Sequence, residues 1–511
     1  MSDETEIKLA IREEGLAAAT KLFGKDEPVQ IHSTYFDTPD LLLRRHGIQL
    51  RLRHDGDEVL QTVKLSAGSV GPMTRAEHEI SLDHEELDIP HLMEALPEEV
   101  REALRVDALR PLFVTRFERR RHLAGPGKVV ELAFDRGVIE SGEKQLPVLE
   151  IEAELKGPDF DAYIAEVLAL LDKVPASIIA SGKAARGYRL ATGTTEAPVY
   201  PPKLELPPGI ALPDAIKAIL RQNFARFFEN IPAAQAGIPG GIHQVRVGLR
   251  RLRSTVAAFK PVMRLAEADG LLREVKALFN AFEPVREADV FVADTLPKLV
   301  EAGMKPKLAA TVAERIAEFR AREQAKVTAL LQSTETAKLI VRLYGWIESG
   351  RWMKFDRPLD LLLDKRQAAD FARPRLRKLH KALLRKARKA RNSTDLDDWH
   401  RARIAAKKLR YAADPLLPTL DLPPEVALTY RKSIEAIQGE LGQLNDIVVA
   451  ERFLETVKTS LPARQRQPLA KALGLLEAWQ ARTSDQVLVE AAREIRIFEK
   501  NGFPRNKKRK K

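Results

Sequence analysis

The chain has 511 residues, 44% hydrophobic and 31% charged, a globular balance that excludes a disordered or collagen-like protein and, at about 150 residues per domain, gives two large domains or three. It contains no cysteine, which excludes disulfides, thiolate nucleophiles and cysteine zinc sites and leaves any metal to oxygen or imidazole, as expected of a cytoplasmic protein. No apolar run approaches the ~18 residues of a membrane span, and the opening MSDETEIKLAI lacks the basic and apolar regions of a signal peptide, so no membrane association is expected. The charge divides: residues 1–200 hold 25 Lys+Arg against 36 Asp+Glu, a net of −11, and residues 201–511 hold 59 against 36, a net of +23. The first part suits metals or cationic ligands and the second a polyanion.

In chain order, the segments ETEIKLAI, GIQLRLRH, VLQTVKLS, RAEHEISL, LFVTRFERR, VVELAFDRGVI and VLEIEAEL alternate apolar and polar residues with period two, the pattern of antiparallel strands. Helical patterns over Leu92–Leu104 and Phe160–Leu171 make this part α+β. The stretch from Thr192 to Pro213 holds six prolines and reads as an extended linker. Beyond it the period becomes 3.6, with helices expected over Ala215–Phe228, Ile242–Phe259, Leu271–Phe282, Lys307–Leu331, Arg375–Ala390, Trp399–Ala413 and Pro424–Leu444. HQVRVGLRRLRSTVAAF from His243 matches HRARIAAKKLRYAADPL from His400, and FEPVREADVFVADTL from Phe282 echoes LGQLNDIVVAERFL from Leu441, so two related helical bundles are expected. The boundaries follow as 1–200, a proline-rich linker at 201–213, a helical domain at 214–500 and a basic tail at 501–511.

On a strand, residues two apart face the same side. Glu4, Glu6 and Lys8 therefore share a face, as do Arg51 and Arg53, Arg75, Glu77 and Glu79, and Glu150, Glu152 and Glu154. In an ordinary sheet these charges face water. In a closed barrel with its apolar face outward they line a lumen. Carboxylates at this spacing can hold a hard divalent cation, and arginines and lysines can clamp phosphate oxygens.

The E-x-E-x-K of Glu4, Glu6 and Lys8 resembles the signature of the CYTH family, the triphosphate tunnel metalloenzymes. The likeness extends through Arg51 and Arg53, Lys64 in QTVKLS, the R-x-E-x-E from Arg75, TRFERR with Arg116 and Arg119, Asp135 in FDRG, Glu150 and Glu152 in LEIEAEL, and Lys183 in SGKAARGY. This resemblance implies an eight-stranded antiparallel tunnel that binds a triphosphate with Mg²⁺ or Mn²⁺. It implies Glu4, Glu6, Asp135, Glu150 and Glu152 as metal ligands, and Arg51, Arg53, Lys64, Arg75, Arg116, Arg119 and Lys183 as phosphate ligands. Lys8 would contact phosphate or help activate water. Arg116 and Arg119 differ in strand parity, so both face the lumen only if a bulge intervenes.

His243, Arg246, Arg250 and Arg253 fall within about an 80° arc of one helix face, and His400, Arg403, Lys407 and Arg410 repeat the spacing. One such stripe is ordinarily a solvated face; its repetition points to a shared ligand. Residues 373–410 carry 15 basic and 3 acidic residues, with Trp399 the one aromatic side chain among them, so stacking on nucleic-acid bases has little support. The two H-x-x-R motifs and LGQLND resemble the CHAD family, the conserved-histidine α-helical domain, with Glu287 of PVREAD where aspartate is usual. That resemblance implies binding of inorganic polyphosphate by the eight stripe residues.

The expectation is thus a cytoplasmic inorganic triphosphatase fused to a polyphosphate-binding helical domain, able to associate with polyphosphate granules. The rivals are a hydrolase or cyclase acting on an organic triphosphate, such as a nucleotide or thiamine triphosphate, a non-catalytic protein of polyphosphate granules, and a nucleic-acid-binding basic bundle.

Overall fold

The computed structural model describes residues 2–65, 73–202, 204–207, 209–353, 367–393, 395–420 and 422–504. Among these, nine antiparallel strands form one sheet: β1 (Ser2–Ile11), β2 (Pro28–Asp37), β3 (Ile48–Asp55), β4 (Glu58–Leu65), β5 (Thr74–Leu82), β6 (Arg110–Ala124), β7 (Val130–Ser141), β8 (Lys144–Leu155) and β9 (Ala176–Ile178). Their order is β5-β4-β3-β2-β6-β7-β8-β1-β9, and β1 also pairs with β5 over Ser2–Thr5. The first eight strands therefore close into a ring. The ring has the eight strands expected, and the sheet holds a ninth, because β9, only three residues long, pairs with β1 at Leu9–Ile11, past the part that β5 covers. So short a strand leaves no readable alternation.

Alternation decides what the ring encloses. Ile7, Leu9, Leu50, Leu52 and Ile151 turn away from the charged face and are buried nonetheless, because helices cover the outside. Leu92, Leu96 and Val100 pack with Ile48, Leu50 and Val63. Leu92 and Val100 come from two helices, Ile89–Ala95 and Glu98–Ala103, where a single one was expected; Leu96, between them, is extended and Pro97 precedes the second helix, as the restriction on a residue before proline requires. Over β8, the Tyr163 hydroxyl of helix Phe160–Lys173 donates to the Ala153 carbonyl at 2.8 Å. The Phe160 ring meets Tyr344 of helix Thr334–Ser349 edge-on at 5.6 Å. Burying each such apolar side chain is worth about 1.5–3 kcal/mol, and that energy holds the apolar face outward.

The chain divides into two compact units. One comprises Met1–Tyr200 with Ala225–Val245 and Thr328–Ser349; the other comprises Pro201–Phe224, Arg246–Val327 and Gly350–Lys511. Two segments from beyond the proline-rich stretch thus belong with the strands. The described residues of 194–210 form neither helix nor strand, and Val199 exchanges two 2.9 Å hydrogen bonds with the Asn230 side chain, which ties this end of the stretch down.

The second unit is helical. Asp269–Ala281, Pro306–Leu331, Ala368–Arg391 and Leu396–Leu416 lie where the 3.6 period placed helices; Pro424–Ser460 runs 16 residues past the expected end, and Gln467–Asn501 was not foreseen. Phe453 meets Phe291 at 5.7 Å and Phe319 at 5.8 Å in a core completed by Leu454 and Leu476. Among the described residues no helix is long and apolar enough to cross a membrane. The tail beyond Pro504 lies outside the described residues.

Gly137 on β7 gives the sharpest packing constraint. A Cβ there would stand 2.1 Å from the Arg116 carbonyl oxygen and 2.5 Å from Phe117 Cα, both backbone atoms. Gly137→Ala is expected to destabilise the strand unit by at least the ~1–3 kcal/mol typical of overpacking, measured as a lower denaturant midpoint.

Candidate functional site

Strand register gathers the charged residues. Lys8 stands opposite Glu152, Asp135 opposite both Glu150 and Arg119, Arg53 opposite Ser33 and Arg51 opposite Tyr35, and Lys64 opposite Glu77. They surround a cavity of about 520 Å³, its open mouth included, lined by Glu6, Lys8, Ser33, Tyr35, Gln49, Arg51, Arg53, Lys64, Thr115, Phe117, Arg119, Glu152 and the segment from Gly182 to Ala185. The lumen reading of the strand charges is the one realised.

Within the cavity nearly every carboxylate meets a cation. The Arg119 guanidinium donates from Nε and Nη2 to the two Asp135 oxygens, each at 2.7 Å, and from Nη2 to Glu152 Oε2 at 2.6 Å. The Lys183 ammonium reaches Asp135 at 2.6 Å and Glu152 at 3.0 Å, and also touches Glu150. Lys8 donates to Glu6 at 2.7 Å and to Glu152. Lys64 bridges Glu4 and Glu77. Arg186, which sequence reasoning did not single out, pairs with Glu150. Arg53 is the contrast: it has no carboxylate partner among the described residues, and its Nε is buried without a hydrogen bond.

Protonation follows from these contacts. Burial alone would lower the Lys8 pKa, but Glu152, Glu6, Glu150 and Glu4 outweigh it and hold the ammonium well above its ordinary value. Burial would raise Glu152; Lys183, Lys8 and Arg119 instead hold it well below the usual carboxylate range. Glu150 is lowered likewise, its burial offset by Lys183 and Arg186. Arg53 is pushed down to about 10 by burial and by repulsion from Arg51 and Arg119. Tyr35, whose hydroxyl accepts from Arg51 Nη1 at 3.4 Å, is lowered because Arg51, Arg53 and Lys183 overcome the effect of burial.

Asp135, Glu150 and Glu152 offer carboxylate oxygens within 4.8 Å of one another. Oxygen donors so grouped fit a hard divalent cation. The fit is supported by Glu150 Oε1, which is buried without a directed hydrogen bond although the Lys183 ammonium lies against it.

Of the sequence-derived residues, Glu6, Lys8, Arg51, Arg53, Lys64, Arg119, Glu152 and Lys183 line the cavity. Asp135 and Glu150 are buried beside it through their ion pairs with Lys183, and Glu4 reaches Lys64. Arg75 lies on β5 opposite Glu4, its side chain outside the described residues. Arg116 is corrected: its side chain is 57% exposed and pairs with Glu140. The reason is parity, since no register shift separates it from Arg119 along β6 and β7. Ser33, Tyr35, Gln49 and Thr115 were missed. Thr115 shares the parity of Arg119, and Ser33 and Tyr35 lie on β2, a strand the sequence reading did not identify.

In the helical unit the two stripes come together in part. Arg250, on the helix Pro239–Phe259, stands 5.5 Å over the Tyr411 ring, on Leu396–Leu416 beside Arg410. Arg251 is lowered by burial and by Arg250, Arg410 and Arg431, which shows the cations crowding there. Arg246 and Arg253 both lie over Phe279, at 4.3 and 5.3 Å. Arg410 donates to Gln438 at 2.9 Å. Arg403 and Lys407 are half-buried and His400 is exposed on the same helix. His243 belongs to the part of its helix that falls in the first unit. Glu287 pairs with Arg452 at 3.1 Å despite replacing the usual aspartate. The side chains of residues 443–446, within LGQLND, lie outside the described ones.

Comparison with known proteins finds two family models on this chain. Residues 2–188 match the family model of the CYTH domain, and residues 218–455 that of the CHAD domain. An inorganic triphosphatase of Haemophilus influenzae is 31% identical over 199 residues, 37% of this chain; the chain spans only 55% of that relative's length. An uncharacterized protein of Mycobacterium tuberculosis is 24% identical over 467 residues, covering 86% of this chain and 84% of that one. The crystal structure of the CHAD domain from the plant Ricinus communis covers 58% of this chain and 96% of its own at 29% identity, with a TM-score of 0.49.

Removing one member of the lumen network should expose its cost. Arg119→Met leaves Asp135 and Glu152 short of a cation and is expected to destabilise the strand unit by about 3–5 kcal/mol. In the unaltered protein, Glu150 and Glu152 have lowered folded-state pKa values, so their contribution is fully present above the unfolded carboxylate value of about 4.3 and is lost as pH falls below it. Chemical denaturation followed from pH 6 to pH 3 checks this; a midpoint unchanged across that range contradicts it.

Proposed function

For a chain that carries a CYTH domain at residues 2–188 followed by a CHAD domain at residues 218–455, we propose that the strand unit hydrolyses inorganic triphosphate with Mg²⁺ or Mn²⁺ and that the helical domain binds inorganic polyphosphate. The observation that carries the first part is one cavity holding Arg51, Arg53, Lys64, Arg119 and Lys183 against a buried group of carboxylates. The five cations bind and orient the phosphate chain and neutralise charge developing on its oxygens. Glu6, Asp135, Glu150 and Glu152, with Glu4, would hold the metal ion, which when bound adds Lewis-acid stabilisation and lowers the pKa of water. Lys8, fixed by hydrogen bonds to Glu6 and Glu152, serves as a donor to phosphate oxygen. The protein carries out this hydrolysis in the cytoplasm, where it can associate with polyphosphate granules.

Polyphosphate binding is supported by the equal spacing of the stripes and the approach of Arg250 to Tyr411. A linear polyanion following such cations releases counterions as each engages. A nucleotide or thiamine triphosphate is the second reading. Against a base beside Tyr35, which lines the cavity, stands the packing of that ring, which stacks on Phe113 at 4.5 Å while Tyr188 meets Phe113 edge-on at 5.3 Å.

Phosphate release from the full-length protein should be fastest with inorganic triphosphate, slower with ATP, thiamine triphosphate and long-chain polyphosphate, and absent in excess chelator. Glu4→Gln with Glu6→Gln should reduce turnover by at least 100-fold, on the order of removing one strong transition-state interaction, while circular dichroism shows a folded protein. Full turnover by that variant or in chelator removes the metal mechanism. Long-chain polyphosphate binding should weaken steeply with salt, and replacing Arg246, Arg250, Arg403 and Lys407 by alanine should cost far more affinity than replacing four basic residues between Lys507 and Lys511. Equal losses would mean only a generic basic surface.

A further inference from the structure

The helix Lys183–Thr192 starts in the cavity. Its N-cap is Gly182, which offers no side chain to the first turn, and Gly182, Lys183, Ala184 and Ala185 all line the cavity wall. The helical hydrogen bonds begin with Arg186 N–H donating to the Gly182 carbonyl at 3.1 Å, so the amides of the three preceding residues have no partner within the helix. A helix end of this kind carries partial positive charge and free donors. The helix is also held in place: a Cβ on Gly187 would fall 2.1 Å from the Phe113 ring, so ring and helix are already in contact.

A second feature, on the strands, points to the same space. Thr115 is 1% exposed, lines the cavity, and its hydroxyl has no hydrogen-bond partner among the described residues. Leaving a buried hydroxyl unpaired is costly, and the fold retains that cost here. Thr115 stands opposite Ser33, and Ser33 opposite Arg53, so three polar side chains form one row across β6, β2 and β3. Arg53 is likewise buried with an unpaired Nε. Row and helix end thus line one cavity, whose carboxylates Glu6 and Glu152 are already paired with Lys8 and Arg119.

We propose that the amides of Lys183 to Ala185, the Thr115 hydroxyl and the Arg53 guanidinium form an anchoring subsite for an unesterified terminal phosphate of the substrate. This rests on the triphosphatase reading and deepens it. Tyr35, Phe113 and Tyr188 pack against one another and against Ala184 of the helix start, so an ester group on the anchored phosphate would meet these rings, and an organic triphosphate would bind with its organic part away from them. The carboxylates that would hold the metal lie against the Lys183 side chain, and the subsite sets which phosphate faces them. Thr115 acts as a positioning residue through the phosphate it holds.

The test uses the full-length protein and inorganic triphosphate, with affinity from titration calorimetry in Mg²⁺ and stability from thermal melting without ligand. Thr115→Val keeps the shape and removes the hydroxyl. It should weaken triphosphate binding about 10- to 150-fold, the worth of one hydrogen bond to a charged group, and leave the ligand-free melting temperature unchanged or higher, since no protein partner is lost. Ala185→Asp puts a carboxylate at the third helical position, where it favours the helix but competes for the anion site. It should reduce binding by more than 10-fold without lowering the melting temperature. Wild-type affinity retained by both variants overturns the subsite, as does a lower ligand-free melting temperature for Thr115→Val, which would give the hydroxyl a structural role. If the wild-type protein itself binds no triphosphate, the functional reading fails, and the subsite with it; binding by wild type and unchanged binding by the variants removes the subsite alone.

Discussion

A closed ring of strands that turns its charges inward must neutralise them, and every other feature of the strand unit follows from that requirement. Asp135 is fully buried, and an isolated carboxylate in such a place would cost many kcal/mol. The fork of Arg119 and the ammonium of Lys183 remove most of that cost. Buried pairs of this kind add little net stability, because desolvation consumes the Coulomb gain. What they retain is a set of charges held ready in fixed positions.

Neutralisation also shapes what can bind. A phosphate chain alone would draw Lys183, Arg119 and Lys64 away from carboxylates, and a metal ion alone would displace cations from Glu150 and Glu152. On the proposed reading the two enter together and exchange partners: carboxylates go to the metal and cations to the phosphates. Each ligand then relieves the charge imbalance that the other creates, so their affinities are coupled, and the coupling is reciprocal. Arg53 and Thr115 stand outside this exchange. Among the described residues neither the Thr115 hydroxyl nor the Arg53 Nε has a hydrogen-bond partner, so on the proposed reading each engages a phosphate without breaking an existing bond.

Much of this was legible in the sequence, and the exceptions have physical causes. Period-two spacing placed Glu6, Lys8, Arg51, Arg53 and Glu152 on common faces, and all five line one cavity. Parity alone separated Arg119 from Arg116, although both lie in one arginine-rich strand. Thr115 and Ser33 escaped because an uncharged residue on the inner face of a strand looks like any other; only burial without a partner marks it. The start of helix Lys183–Thr192 escaped because Gly182 is not a capping side chain, and its use lies in the bare amides. Membership of Ala225–Val245 and Thr328–Ser349 in the strand unit could not be read from periodicity, since a helix pattern says which face is apolar and not what covers it.

The most direct measurement is a crystal structure of the full-length protein with inorganic triphosphate and Mg²⁺, using the Glu4→Gln, Glu6→Gln variant to slow turnover. The account predicts three phosphates inside the strand ring, in contact with Arg51, Arg53, Lys64, Arg119 and Lys183, with one terminal phosphate at the start of helix Lys183–Thr192. Triphosphate bound elsewhere, with the ion pairs of Lys183 and Arg119 to Asp135 unchanged and the cavity free of phosphate, would contradict it.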